Sequence, residues 1–372
     1  MYARTIREQI IKRMDSGKAI VVTGPRQVGK TTLIESILEN ENYLFLDGDD
    51  PKTRALLTEP STEVIRRILG KHKYVFIDEA QRIKGIGITM KIITDRFKHI
   101  QLFASGSTSF DLSNKINEPL TGRKWEYQLF PISWEEYENH HGYIVSEQGL
   151  ENRLLYGFYP DVINHAGDEI SVLRNLVNSY LYKDILALGE IRKPEILEKL
   201  VQALALQIGS EVNYSELAQI VKVDKNTISK YIDILQKGYI IFKLSSFSRN
   251  VRNEIKTNKK IYFYDNGVRN MLIGNFNPLD SRADKGALWE NFLISERIKQ
   301  NEYKQSLAKS YFWRTKQQQE VDFVEEIGSE IFGFEFKWRK KKNQKLPKTF
   351  MNNYNAKAMI IDETNFREFV IS

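Results

Sequence analysis

The stretch Ala19-Ile20-Val21-Val22-Thr23-Gly24-Pro25-Arg26-Gln27-Val28-Gly29-Lys30-Thr31-Thr32 decides the fold. It begins with an apolar run of the kind that forms a strand buried on both faces. Gly24 and Gly29 bracket a loop, and Thr31 to Leu38 reads as a helix. A strand, then a glycine-bracketed loop, then a helix is the context in which such a loop cradles phosphates. The glycines let backbone N–H groups turn inward. Lys30 brings a point charge to the β- and γ-phosphates, Thr31 offers a hydroxyl to Mg²⁺, and the helix N-terminus adds partial positive charge. Gly24, Pro25, Arg26, Gln27, Val28, Gly29, Lys30, Thr31 and Thr32 are therefore the candidate ATP-binding residues, with Lys30 also catalytic.

Outward from this loop, further short apolar strands are expected at Tyr43–Leu46, Tyr74–Ile77, Gln101–Ala104 and Trp125–Phe130. Their alternation with helical segments predicts a parallel sheet covered on both faces. The Tyr74 strand ends at Asp78-Glu79. Asp78 can complete the Mg²⁺ shell with Thr31, and Glu79 can polarise a water for attack on the γ-phosphate. Two adjacent acids favour a hydrolysing ATPase over a small-molecule kinase; a solvated helix cap is the plainer reading of Glu79. Ser105 and Ser107 end the next strand, where they can sense the γ-phosphate or simply form a serine-rich turn. Arg123 can reach a neighbouring subunit's phosphate as an arginine finger, or it can sit in a surface salt bridge.

These segments carry a resemblance. Gly24-Pro25-Arg26-Gln27-Val28-Gly29-Lys30-Thr31-Thr32, Phe76-Ile77-Asp78-Glu79-Ala80-Gln81, Ser105-Gly106-Ser107, Leu120-Thr121-Gly122-Arg123 and Phe130-Pro131-Ile132-Ser133 resemble a prokaryotic AAA+-type ATPase family. Members of that family carry a C-terminal domain of unknown function with a restriction-endonuclease-like fold. The resemblance extends over nearly the whole chain. It implies an AAA+-like core with Asp78 and Glu79 in the roles given above, and it leaves the cellular role and oligomeric state open.

The 372 residues suggest two or three domains. A net charge of +7 permits a nucleic-acid partner without demanding one. The chain has no cysteine, which excludes disulfides and thiolate metal sites. Its histidines (His72, His99, His140, His141 and His165) lack zinc-ligand spacing. The N-terminus is too charged for a signal peptide, and no apolar run approaches the ~18 residues of a membrane span. A soluble cytoplasmic protein is the expectation.

Beyond the core, residues 150–212 read as a helical lid or connector, and residues 213–280 as a winged helix-turn-helix. Its second helix, Lys225 to Gln236, exposes Lys225, Asn226, Thr227, Ser229 and Lys230 as candidate DNA contacts. Such modules also serve as lids or protein-binding surfaces. Residues 281–372 hold Glu290, Asp322, Glu335 and Lys337. Glu335 and Lys337 stand two apart on a strand and share one face, and a hairpin at Glu326–Glu330 would bring Asp322 beside Glu335. Asp322 and Glu335, helped by Glu290, can bind Mg²⁺ or Mn²⁺, and Lys337 can orient a water or steady the charge on a phosphate, which makes Glu335 and Lys337 the candidate catalytic pair. This set is similar to the PD-(D/E)xK nuclease signature, although Val321 stands where a proline is expected. Loss of cleavage with retention of the fold is the competing reading. Residues 337–348 carry seven basic side chains in twelve, including Lys340, Lys341 and Lys342, and can follow a nucleic-acid backbone or simply be solvated.

The expected architecture is α/β. A P-loop AAA+-like parallel-sheet core (1–149) is followed by a helical and winged-helix segment (150–280) and a restriction-endonuclease-like α/β domain (281–372). The expected function is an ATPase acting on DNA with Mg²⁺, with Mn²⁺ an option at the C-terminal site. A homo-oligomer and a protein partner are both compatible with it. The alternative is an ATP-dependent switch for a protein partner, with both C-terminal parts as inert scaffolds.

Overall fold

The structure is a computed structural model that describes residues 1–107, 116, 119–179, 193–248, 259–339 and 346–371. The chain forms two compact units: Met1–Pro131 with Lys237–Tyr239, and Ile132–Gln236 with Ile240–Ser372.

The first unit runs α1 (Arg7–Ile11), β1 (Ala19–Thr23), α2 (Lys30–Leu38), β2 (Tyr43–Asp47), α3 (Pro51–Leu57), α4 (Thr62–Leu69), β3 (Tyr74–Asp78), α5 (Ile86–Arg96), β4 (Gln101–Gly106) and β5 (Lys124–Gln128). Its five strands pair in parallel in the order β2-β3-β4-β1-β5. Every residue of β1 is buried, as its continuous apolar sequence requires. On one face Val21, Val75, Ile77, Leu102 and Ala104 pack against Leu57, Ile65, Leu69, Met90 and Ile93 from the helices. Each large aliphatic side chain buried this way contributes roughly 1.5–3 kcal/mol. The strand order has a consequence for function. Because β4 lies between β1 and β3, the loops that follow these three strands emerge side by side, and open α/β sheets bind ligands outside their strands' carboxyl ends.

The second unit contains α6 (Trp134–His141), α7 (Tyr143–Tyr156), α8 (Pro160–Asn164), α9 (Glu169–Val177), α10 (Pro194–Leu206), β6 (Glu211–Val212), α11 (Tyr214–Val221), α12 (Lys225–Lys237), β7 (Ile241–Ser246), β8 (Lys259–Phe263), α13 (Asn266–Ile273), α14 (Lys285–Tyr303), β9 (Lys309–Arg314), β10 (Glu320–Ile327), β11 (Glu330–Phe336), α15 (Lys348–Tyr354), β12 (Lys357–Ile361) and α16 (Phe366–Val370). One sheet, ordered β12-β11-β10-β9-β7-β8-β6, spans it.

The units divide after Pro131, where Ser133 and Glu136 build a reciprocal cap that starts α6. The sheet runs across residue 280, because β7 pairs in parallel with β9 through Ser245 opposite Tyr311 and Ser246 opposite Phe312. α14 is locked to β8 by Asn291. Its amide accepts from the Phe263 N–H at 2.8 Å and donates to the Phe263 carbonyl at 3.0 Å and to Asn266 Oδ1 at 2.7 Å.

Backbone meets backbone where α7 ends and α13 begins. A Cβ on Gly267 would lie 2.1 Å from the Tyr156 carbonyl oxygen. Asp265 ties the same junction, accepting from Phe158 N–H at 2.6 Å and Val268 N–H at 3.0 Å. Gly267→Ala should therefore destabilise the second unit by about 1–3 kcal/mol. Denaturant unfolding would measure this, and an unchanged midpoint would show that the junction opens freely.

Candidate functional site

Gly24 is required for a steric reason. Its φ is +150°, and a Cβ there would sit 2.0 Å from the Leu129 carbonyl oxygen. Gly29 enters α2 at φ +90°, a region that favours glycine. The loop between them is braced by Arg4, whose buried guanidinium donates to the Val28 and Phe130 carbonyls, both at 2.7 Å. Lys30 is buried and folds back over the loop, donating to the Gly24 carbonyl at 3.0 Å and the Pro25 carbonyl at 2.7 Å. Those two carbonyls hold the ammonium over the loop that would receive the phosphates.

At the neighbouring strand ends Asp78 gathers two hydroxyls. Thr31 Oγ1 donates to Asp78 Oδ2 at 2.8 Å, and Ser105 Oγ donates to Asp78 Oδ1. Thr31 and Asp78 thus face each other as two hard oxygen donors, which fits a Mg²⁺ ion held beside a phosphate loop. Glu79 adopts a left-handed conformation at φ +45°, and its N–H donates to Ser105 Oγ at 3.2 Å. Its carboxylate is held from three sides. Gln81 Nε2 donates to Glu79 Oε2 at 2.5 Å, Ser107 Oγ lies 3.4 Å from the same oxygen, and Arg26 Nη2 lies at 4.0 Å. Gln81 Nε2 also donates to Ser107 Oγ at 2.9 Å, closing a link between β3 and β4. Gln27 and Thr32 are exposed at the loop and on the first turn of α2. Arg4 and Gln81 are site residues that sequence reasoning missed. Gln81 belongs to the Asp78–Gln81 stretch, but only the tertiary fold shows that it reaches Ser107.

Arg123 lies elsewhere. It immediately precedes β5, its carbonyl accepts from Ala19 N–H at 2.9 Å, and its Nε donates to Asp95 Oδ1 at 2.7 Å. β1 and β5 are parallel, with Ala19 opposite Lys124, so Arg123 stands at the rim opposite the loop of its own chain. The hydrogen bond from Arg123 holds the Asp95 carboxyl below its usual range.

In the second unit the β10–β11 hairpin turns through Gly328 and Ser329, with Ile327 opposite Glu330 and Phe323 opposite Phe334. That register puts Asp322 across from Glu335. A bulge between Val321 and Val324 interrupts the pairing of β10 with β9 and turns Asp322 out of the regular alternation. Asp322 Oδ2 accepts from Phe336 N–H at 2.8 Å, and Lys337 Nζ donates to Glu335 Oε1 at 2.7 Å. Glu290, on α14, accepts from Tyr262 OH at 2.6 Å. Sequence reasoning passed over two members of this cluster, Lys260 and Tyr262, which share a face of β8. Lys260 Nζ lies 2.5 Å from Glu320 Oε1 and 3.3 Å from Glu290 Oε1.

Burial, and then the charges of Glu290 and Glu335, push the Asp322 carboxyl well above the usual carboxylate range. Burial and Glu290 push the Tyr262 hydroxyl up. For Lys260 burial opposes the charge, but Glu290 and Glu320 outweigh it and raise the ammonium above its ordinary value. Among the described residues no group of three His, Asp or Glu side chains is disposed to hold a metal ion.

On α12, Lys225, Asn226 and Lys230 are exposed. Thr227 is partly spent on the helix start, where Asp224 accepts from Thr227 N–H at 3.0 Å, Thr227 Oγ1 at 2.5 Å and Asn226 N–H at 2.9 Å. Lys340, Lys341 and Lys342 lie outside the described residues, as do the rest of 340–345. No helix among the described residues is long and apolar enough to cross a membrane.

Residues 16–138 match the model of an AAA domain. Residues 16–138 are a P-loop domain of the AAA type. Two domains of unknown function follow, DUF8612 over residues 147–279 and DUF4143 over residues 285–370. Similar proteins include an uncharacterized protein of Mycobacterium tuberculosis, 26% identical over 325 residues that span 86% of this chain and 70% of that protein. An uncharacterized protein of Haemophilus influenzae is 25% identical over 354 residues, spanning 87% of this chain and 83% of that one. Among solved structures, a Walker-type ATPase of Pyrococcus abyssi superposes with a TM-score of 0.49 at 16% identity, covering 73% of this chain and 96% of that chain.

The Glu79–Gln81–Ser107 link generates a prediction for the ATPase domain. Gln81→Ala should lower ATP turnover by about 10- to 100-fold by loosening the carboxylate, with nucleotide affinity nearly unchanged. Steady-state kinetics with separate nucleotide-binding titrations would check it. A loss confined to affinity would place Gln81 in ground-state binding instead.

Proposed function

We propose that the chain hydrolyses Mg²⁺-bound ATP and applies the cycle to DNA. The observation that carries the ATP reading is the convergence of Lys30, Thr31, Asp78, Glu79 and Ser105 at one rim of the sheet. Thr31 and Asp78 would hold the Mg²⁺, which when bound neutralises charge on the phosphate oxygens. Lys30 exchanges its loop carbonyls for the β- and γ-phosphates. Glu79, steadied by Gln81, orients and polarises the attacking water. Ser105 and Ser107 report the γ-phosphate to β3, since both already touch the Asp78-Glu79 segment.

Lys30→Ala should abolish tight ATP binding, because it deprives the phosphates of a buried point charge. Glu79→Gln should keep binding and slow turnover by about 100-fold or more, the usual weight of a general base. A phosphate-release assay with parallel binding measurements separates the two. Equal turnover by wild type and Glu79→Gln would remove Glu79 from the chemistry.

The DNA reading rests on α11, α12 and the β7–β8 pair, which we read as a winged helix-turn-helix with α12 as its exposed helix. Lys225, Asn226 and Lys230 stand on its open surface. The expected affinity falls with salt as counterions are released. Lys225→Glu with Lys230→Glu should weaken binding and shallow the log–log salt slope by about one for each phosphate no longer neutralised. Unchanged affinity and slope would move the DNA-binding surface off this helix and favour a protein partner there.

A further inference from the structure

The carboxylates Glu290, Asp322 and Glu335 lie close enough for the charges of Glu290 and Glu335 to act on Asp322, and each is already engaged. Glu290 Oε1 takes the Tyr262 hydroxyl at 2.6 Å and faces Lys260 Nζ at 3.3 Å. Asp322 Oδ2 takes the Phe336 N–H at 2.8 Å, and Glu335 Oε1 takes Lys337 Nζ at 2.7 Å. A divalent ion of the Mg²⁺ or Mn²⁺ kind needs several oxygens converging on one point. Among the described residues no three acidic or histidine side chains do so.

The two lysines of the cluster differ in kind. The side chain of Lys337 is 29% exposed and lies just beyond the end of β11, so it can swing away. That of Lys260 is 1% exposed. The Lys260 backbone is paired on both sides, with Glu211 of β6 and Leu244 of β7, and its ammonium sits 5.4 Å from the centre of the Phe312 ring. Its carboxylate partners are Glu320 at 2.5 Å and Glu290 at 3.3 Å. An ammonium so enclosed is held by its two carboxylates and the Phe312 ring, and removing either carboxylate would leave its charge buried and uncompensated.

We propose that Lys260 is the resident cation of this cluster: its ammonium pairs with Glu290, one of the three carboxylates a nuclease would turn to a divalent metal ion, and with Glu320 beside it, so the C-terminal unit keeps the carboxylate framework without metal-dependent cleavage. The inference is independent of the ATP site. It assigns the cluster's positive charge to β8, a strand outside the 285–370 segment that supplies the carboxylates.

Mn²⁺ titration of the nucleotide-free full chain, read by calorimetry and by the electron paramagnetic resonance signal of free Mn²⁺, tests it. Wild type and Asp322→Asn should take up Mn²⁺ equally, because Asp322 binds none. Lys260→Met keeps the aliphatic stem and removes the charge, so it should gain a site at least about tenfold tighter than any in wild type. A wild-type site that disappears in Asp322→Asn would overturn the proposal. So would a folded Lys260→Met that gains no site, with folding checked by circular dichroism. Should Lys260→Met not fold, the comparison of wild type with Asp322→Asn decides alone: equal uptake supports the proposal and unequal uptake sinks it.

Discussion

The Asp78 carboxylate receives the hydroxyls of Thr31 and Ser105, and so joins the segments that follow β1, β3 and β4. The contact depends on strand order. β4 pairs with both β3 and β1, which places Ser105 beside Asp78 and brings the loop after β1 to the same rim. The sterics of Gly24 against Leu129 and the brace from Arg4 set the loop's position, and Asp78 sets its relation to the neighbouring Glu79. The rim is held by side-chain hydrogen bonds, and transition-state stabilisation by fixed dipoles and charges needs such bracing.

The second unit is organised by buried polar contacts inside an aromatic interior. Trp134 packs edge-on against Phe158, Phe292 and Phe366. Beneath it Glu296 accepts from Trp134 N–H at 2.6 Å and pairs with Lys299 at 2.7 Å, both acid and lysine being 1% exposed. Such pairs add little net stability, but breaking one leaves a buried charge uncompensated. Asn291 and the Lys260 cluster act in the same way, fixing one register of α14 on β8. Specific placement of Glu290 follows from that register.

Much of the first unit was legible because the signal was local. The apolar runs of β1, β3 and β4, the glycines at 24 and 29, and the acids at 78 and 79 are read from neighbours in sequence. The β10–β11 hairpin was legible for the same reason, since Gly328 and Ser329 separate two alternating strands. What escaped was set by distance. Arg4 reaches Phe130 across the unit, Gln81 reaches Ser107 on another strand, and Lys260 and Tyr262 meet Glu290 only because β8 lies under α14. The bulge at Asp322 and the parallel pairing of β12 with β11 likewise have no short-range signature. The continuation of one sheet across residue 280 also has no short-range signature, because β7 and β9 are far apart in sequence.

The measurement that bears most directly on the account is a structure of the chain with a non-hydrolysable ATP analogue and Mg²⁺. Lys30 Nζ should leave the Gly24 and Pro25 carbonyls for the β- and γ-phosphates. Thr31 and Asp78 should part, with the metal between them, while Glu79 stays within reach of a water in line with the γ-phosphate. Nucleotide bound away from the 24–31 loop, or a Thr31–Asp78 hydrogen bond that persists unchanged beside bound Mg²⁺-nucleotide, would contradict it.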